Sequence, residues 1–364
     1  MNIDNIFCPN KNCKHYKQIN AGNLKIKQYQ GKVQKIALLQ CLSCGTIFSE
    51  KRGTIYFRLH CKEKDFNNVM RCLMTRMSIR EIVRLTGVYE RKIYRWILKA
   101  GEFMKDILDF KIKKIQLNEC QLDEMWTFVK MKTKTADRKG IKNKKKIGEQ
   151  WIFIAFDPES KLLIHFKIGK RTKKTAKLFI KELKRKLGNM PLFMTDEWNA
   201  YEQAFLLNYS TKIIPQKPKG KRRTRGMYKT KPRFKVDKSL KLTQVHKMRE
   251  NSKVVDIKQK VIFGTKKEIQ EIINSSSVSN VINTSFVERN NGTIRALQSR
   301  VVRATYSFSK KLEMLIAHFT IYAVYYNFCW VHSRLKTTAA ILYGLTDKVY
   351  KIEEFFKIRD FEFI

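Results

Sequence analysis

The sequence predicts an α/β protein: a mixed sheet with flanking helices, preceded by two small N-terminal modules. Three observations predict it. Two close pairs of cysteines stand in the first fifty residues, two short amphipathic stretches flank a glycine within 77–99, and from about residue 118 the pattern turns to short apolar strands interrupted by a helix. At 364 residues with 43% hydrophobic content, the chain can hold two or three domains with a real core. The divisions read from it are 1–50, 51–112, 115–345 with a basic insertion at about 212–280, and a C-terminal tail at 346–364.

Charge narrows the partner class. The chain has 76 Lys and Arg against 32 Asp and Glu, a formal net charge of +44. Self-repulsion on that scale is tolerable when a polyanion neutralises it. Nucleic acid is the leading partner and a membrane surface the second. Residues 1–20 are polar and contain cysteines, with no apolar run of the kind a secretory signal needs. The expected location is therefore cytoplasmic, with the nucleoid. The stretch Met314–Val331 is as long as a membrane span but contains His318, Thr320 and Asn327, and it reads as a buried core helix.

The first module is carried by Cys8 and Cys13 in "CPNKNC" and Cys41 and Cys44 in "CLSCG", two pairs separated by 27 residues. Each pair makes a tight turn that aims two thiolates at one point, the spacing of a zinc ribbon with one structural Zn²⁺. Strands such as Gln34–Gln40 fill the interval. Disulfides are the alternative, disfavoured in a reducing compartment. His15 is a substitute ligand or a surface residue. The remaining cysteines (61, 72, 120, 329) are isolated and read as small core residues.

The second module reads "MSIREIVRLTGVYERKIYRWILK". Ser78 and Glu81 form an S-x-x-E capping box that starts a helix. Ile79, Ile82 and Val83 give that helix one apolar face. "TGV" makes the turn, and a second helix follows with Ile93, Trp96 and Ile97 inward. This is the grammar of a helix-turn-helix domain. It leaves Arg91, Lys92 and Arg95 outward, where phosphates or base edges would be met. An ordinary helical hairpin with a solvated face is the alternative.

In the third region, "CQLDEMWTFV" (120–129), "WIFIAF" (151–156) and "LLIHFKI" (162–168) read as consecutive strands, the last two joined by the turn "DPESK". A helix follows at Thr172–Leu187, with Ala176, Phe179, Ile180 and Leu183 on its apolar side, then the strand "PLFMTDEW". Three antiparallel strands, a helix and a fourth strand resemble the opening of a ribonuclease-H-like fold, in which the first and fourth strands are neighbours. Asp123 and Asp196 are then the candidate acidic pair, since a charge in an apolar strand is costly unless paired or bound to a cation. Glu124 is the rival on the first strand, but alternation puts it on the opposite face from Asp123. Glu197 rivals Asp196. Asp157 reads as a turn former.

A third acid comes from "TSFVERNNGTIR", inside a helix expected over 281–303 with an apolar stripe of Val287, Ile294, Leu297 and Val301. Glu288, Asn291 and Arg295 share another face of it. Gly292 in mid-helix costs about 1 kcal/mol relative to alanine, which argues for close approach of a neighbour, the sheet or a DNA backbone. Three carboxylates on two strands and a helix could hold two Mg²⁺ or Mn²⁺ ions about 4 Å apart, with Arg295 fixing a phosphate. Taken alone, Glu288 reads better as the partner of a nearby arginine.

Longer words carry a resemblance. "LDEMWTFV", "GEQWIFIAFDPES", "IGKRT", "FVERNNGTIRALQSRVVRATYSFSK" and "YYNFCWVHSRLKTTAA" resemble DDE transposases of bacterial and archaeal insertion sequences of the InsA–InsB type. "FSEKRGTIYF", the ribbon and the helix-turn-helix are similar to that family's N-terminal half, and the similarity covers nearly the whole chain outside 212–280. It implies a catalytic triad of Asp123, Asp196 and Glu288 with Arg295 as basic companion. It also implies metal-dependent cleavage of element ends and joining to target DNA, and a homodimer or higher oligomer on double-stranded DNA. His332 matches the family's YNF-x-x-x-H word, with a core or capping role as the alternative.

The family pattern is weakest between Asp196 and Glu288, which 91 residues separate. Residues 212–238 hold twelve Lys/Arg against one acid, among them Lys221, Arg222, Arg223 and Arg225, and half the prolines. This reads as a DNA-contacting arm or a partly disordered insertion. Lys130–Lys146, with nine bases and one acid, reads as the loop between the first two strands. Both runs are either solvated or phosphate-gripping. Residues 266–280 read as a short helix and a serine-rich linker. Two other functions stay open: a nuclease of the same fold that only hydrolyses, and a non-catalytic DNA-binding regulator.

Overall fold

The computed structural model describes residues 3–31, 35–213, 233–251 and 253–359. Lys221, Arg222, Arg223 and Arg225 lie outside the described residues. The chain divides into two compact units, one formed by Met1–Phe110, Ile316–Tyr325 and Val349–Ile364, the other by Lys111–Leu315 and Tyr326–Lys348.

The first unit opens with a three-stranded antiparallel sheet in the order β1 (Leu24–Gln30), β2 (Ile36–Cys41), β3 (Ile47–Ser49). Its core is small: Ile6, Leu24, Ala37, Leu39 and Phe48 around Cys8, Cys13 and Cys41. So little apolar surface is below what normally orders a segment of this size without a cross-link or metal. Next come α1 (Glu63–Met74), α2 (Ile79–Thr86) and α3 (Glu90–Lys111). The predicted capping box forms: Ser78 Oγ accepts from Glu81 N at 3.3 Å, and the Glu81 carboxylate accepts from Ser78 N at 2.6 Å. Gly87 ends α2 at φ +67°, a left-handed turn that side chains resist. Ile79, Ile82, Ile93, Trp96 and Ile97 are buried, and Arg91, Lys92 and Arg95 are exposed.

The second unit is built on a six-stranded mixed sheet. In chain order it runs β4 (Glu119–Val129), α4 (Thr133–Arg138), β5 (Gly148–Phe156), β6 (Leu163–Gly169), α5 (Lys173–Lys186), β7 (Leu192–Asp196), α6 (Asn199–Asn208), β8 (Ser210–Ile213), β9 (Arg233–Val236), β10 (Lys241–Glu250), β11 (Lys253–Phe263), α7 (Lys266–Asn274) and α8 (Ser285–Leu297). The sheet order is β11-β10-β7-β4-β5-β6, with β8 and β9 paired apart. β4, β5 and β6 are antiparallel, whereas β7 lies parallel to both β4 and β10. The unbroken apolar run of β5 is buried from Ile152 to Phe156, as a strand covered on both faces must be. α5 buries Ala176, Phe179, Ile180 and Leu183. The β5–β6 turn closes on Asp157, which accepts from the backbone of Glu159 and Ser160 at 3.1 Å.

Some expectations are corrected. The helix expected over 281–303 runs only from Ser285 to Leu297, followed by a 3₁₀ turn at Ser299–Val301. Gly292 has open space around it, with nothing within 4 Å of where a Cβ would stand. Its cost in the helix is therefore not offset by a close protein neighbour. The Lys130–Lys146 loop contains α4. Most consequential, Lys241–Glu250 and Lys253–Phe263 of the expected insertion are two long strands of the main sheet. Of the isolated cysteines, Cys120 is buried, while Cys61, Cys72 and Cys329 are partly exposed.

The chain then runs through α9 (Leu312–Phe328), α10 (Ala339–Tyr343) and α11 (Ile352–Lys357). In the second unit, Asn327 satisfies the edge strand β6: its Oδ1 accepts from Leu163 N at 3.0 Å and its Nδ2 donates to Leu163 O at 2.9 Å. In the first unit, Phe356 stacks edge-on to Phe66 at 5.0 Å, Glu353 pairs with Arg71, and Arg359 donates to the backbone carbonyls of Glu50 and Arg52. No helix among the described residues is long and apolar enough to cross a membrane.

Gly101 of α3 lies close against Ala317 in the first unit. A Cβ there would stand 2.5 Å from both Cα and Cβ of Ala317. Gly→Ala in an exposed helix gains about 1 kcal/mol. At Gly101 the sign reverses: Gly101→Ala is expected to lose about 1–3 kcal/mol from overpacking, measured by urea denaturation.

Candidate functional site

The site begins with a strand register. β4 and β7 pair in parallel with Leu122 opposite Thr195. One step further along stand Asp123 and Asp196, at the same end of the sheet. Side chains alternate across a strand, so Gln121 and Asp123 share a face and Glu124 takes the other. Gln121 is fully buried: its Oε1 accepts from Val287 N at 3.0 Å and its Nε2 donates to Asn283 Oδ1 at 3.4 Å. That pins the start of α8 to β4. Two residues along, Asp123 Oδ2 accepts from Asn291 Nδ2 at 2.7 Å, and its Oδ1 accepts from Glu124 N at 2.7 Å.

Glu288, one turn before Asn291, is brought to the same end. Thr284 occupies the N-cap position of α8 but does not cap with its side chain. Its hydroxyl lies 2.9 Å from Asp196 Oδ1 and 2.9 Å from Glu288 Oε1. One hydroxyl has one proton, so it donates to one of these at a time. Lys247 of β10 completes the group, donating to Glu288 Oε1, lying 2.9 Å from Thr284 Oγ1 and 3.4 Å from Asp196 Oδ1.

Burial pushes the Asp123 carboxyl up to about 7, helped by the negative charges of Asp196 and Glu124. The rivals have their own partners. Glu124 accepts from Arg171 at 3.0 and 3.1 Å, and that guanidinium lies 4.4 Å over the Trp198 ring and 5.2 Å over Trp151. Glu197 pairs with His246 Nδ1 at 2.5 Å. Arg295 donates to the carbonyls of Val301 at 2.6 Å and Trp126 at 3.1 Å, which ties the end of α8 to β4. His332 packs 4.2 Å from the Trp330 ring, and burial lowers its pKa to about 4, with the charge of Lys161 acting the same way.

The four N-terminal cysteines form a second candidate site. Cys8 and Cys44 sulfurs are 3.4 Å apart and Cys13 and Cys41 sulfurs 3.8 Å. A disulfide needs about 2.05 Å. Thiolates 2.3 Å from a tetrahedral zinc stand about 3.8 Å from each other. All four ligand atoms lie within 4.8 Å of one another, and among the described residues this is the group of His, Cys, Asp and Glu gathered so tightly. Asp123, Asp196 and Glu288 do not converge that far. Asn23 Nδ2 donates to Cys41 at 3.1 Å, the second-layer bond a thiolate ligand calls for. His15 is bonded to Gln18 instead.

Three residues of the carboxylate group escaped the sequence reading. Lys247 was hidden in a segment read as an insertion, although "LTQVHKM" alternates as a strand does. Thr284 stands four residues before Glu288, on its own helical face. Gln121 was a polar residue in an apolar strand, the same signal that singled out Asp123. Comparison with protein-family models and with curated proteins finds no match to this chain.

Two outcomes follow. Cys41→Ser is expected to lose one bound zinc per chain by elemental analysis and to expose the N-terminal segment to protease, since so small a core is below what normally orders a segment of this size without a metal. For Asp123, a folded carboxyl raised from 3.8 to about 7 adds no cost at low pH, where both states are protonated. The cost grows as pH rises through 4 and is complete above about 7. In chelator, Asp123→Asn should therefore gain stability relative to wild type between pH 4 and 8. A pH-independent difference in urea denaturation counts against this.

Proposed function

We propose that the chain is an insertion-sequence transposase of the DDE type, which binds double-stranded element ends, cleaves them and joins the 3′-hydroxyls to target DNA. The observation that carries the reading is the assembly of Asp123, Asp196 and Glu288 from two neighbouring parallel strands and one helix at one end of the sheet, linked through Asn291, Thr284 and Lys247. The order of three antiparallel strands, a helix and a fourth strand parallel to the first supports a ribonuclease-H-like fold. The α2–α3 pair, with Arg91, Lys92 and Arg95 exposed, supports a helix-turn-helix.

Asp123, Asp196 and Glu288 would hold Mg²⁺ or Mn²⁺. The donor set fits: all are hard oxygens, two of them already share a cation in the Lys247 ammonium, and burial pushes the third, Asp123, up to about 7 with only neutral hydrogen-bond donors on it. When bound, such metal polarises the phosphate and lowers the pKa of the attacking water or 3′-hydroxyl. The protein does the rest. Gln121 and Asn291 hold α8 on β4, so that Glu288 keeps its place. Thr284 orients one carboxylate oxygen. Arg295 adds a fixed positive charge beside Asp123. The carboxylates act as ligands rather than nucleophiles, so no covalent protein–DNA intermediate forms. Joining two ends calls for at least a dimer on DNA.

The basic surface sets affinity, which should fall steeply with salt. Asp123→Asn, Asp196→Asn and Glu288→Gln are each expected to lower Mg²⁺-dependent cleavage of element ends by more than about 100-fold, the upper range for losing a residue outside the ligand set. Gel-shift binding should be kept. An Asp123→Asn protein that still cleaves and joins ends refutes the reading. Pre-cut ends that are never transferred would make it a hydrolytic nuclease.

A further inference from the structure

Lys247 stands between two of the three carboxylates, Asp196 and Glu288. The β10–β7 register sets Val245 opposite Asp196, and strand alternation returns the side chain of residue 247 to the same face. The lysine side chain is only 16% exposed. Its ammonium has three N–H donors and meets three oxygens, from Glu288, Thr284 and Asp196. Asn291 and a backbone N–H serve Asp123, both neutral donors. Lys247 is thus the cation bonded to Asp196 and Glu288, and without it the Thr284 hydroxyl could serve only one of the two.

We propose that Lys247 is a resident counter-cation that competes with divalent metal for Asp196 and Glu288, so that metal loading expels its ammonium from the group. This rests on the reading that the carboxylates take Mg²⁺ or Mn²⁺. A divalent ion in the group would draw on the same Asp196 and Glu288 carboxylates that the ammonium now holds. Two cations crowded on the same carboxylates repel each other, so metal entry weakens the hold of the ammonium. In the metal-free protein the lysine partly neutralises these two acids, and the metal affinity is set below that of the bare acids. The expelled ammonium stays tethered beside the group, where a DNA phosphate is its natural next partner.

The test uses the full chain and Mn²⁺ alone, without DNA. Binding is counted as the calorimetric signal that Asp123→Asn removes. Lys247→Met is expected to bind Mn²⁺ roughly tenfold tighter, the scale on which partners outside the ligand set tune affinity. It should also melt lower than wild type in chelator and recover that loss in Mn²⁺. Lys247→Arg keeps the charge and should not tighten binding. In wild type, acetylation of Lys247 read by peptide mass spectrometry should rise severalfold on adding Mn²⁺, and this readout needs no variant to fold. Unchanged Mn²⁺ affinity in Lys247→Met with unchanged Lys247 reactivity overturns the proposal and leaves the metal reading standing. Wild type that shows no Asp123-dependent Mn²⁺ binding overturns both.

Discussion

The parallel pairing of β4 with β7, fixed at Leu122 opposite Thr195, is the constraint on which the rest of the second unit depends. It carries two aspartates to one end of a largely buried sheet, where like charges side by side are costly. The surrounding residues answer that cost. Gln121 anchors α8, Asn291 donates to Asp123, Thr284 bridges, and β10 delivers a lysine. A slip of one residue in the register would turn Asp123 to the opposite face. The anchoring bonds of Gln121 and the antiparallel β4–β5 ladder, with Asp123 opposite Ile154, guard against it.

The two faces of β4 handle buried charge differently. On one, Glu124 has a full ion pair in Arg171, itself stacked on Trp198 and Trp151. The cation sits between aromatic walls, although burial still pushes the Glu124 carboxyl above its ordinary value. On the other, Asp123 has neutral donors only, and its carboxyl is driven upward. Strongly perturbed acids of this kind gather at working sites. The contrast separates a carboxylate bonded to a cation from one bonded only to neutral donors, a single residue away.

Much of this was legible in the sequence because it depends on local rules. Alternation sorted Asp123 from Glu124, the S-x-x-E word placed the start of α2, and paired cysteines announced their cluster. The strands 120–129, 151–156 and 162–168 and the helix near 172–187 were read within a few residues of where they lie. What stayed hidden depends on long-range pairing. β10 and β11 are rich in lysine, and their charges disguised a strand pattern that only pairing with β7 makes sense of. Lys247 could not be linked to Asp196 without that pairing, 51 residues away in the chain. The end of α8 was overrun because the apolar stripe continues through Val301, yet the backbone tightens into a 3₁₀ turn there.

The first unit is assembled from both ends of the chain. Residues 316–325 and 349–359 pack with the first 110, through Ala317 under Gly101, Phe356 against Phe66, and Arg359 on the carbonyls of Glu50 and Arg52. Translation therefore imposes an order. The amino-terminal helices emerge from the ribosome early but wait for their last packing partners until the entire sheet has been made. A prematurely terminated message yields a fragment missing part of its own interior.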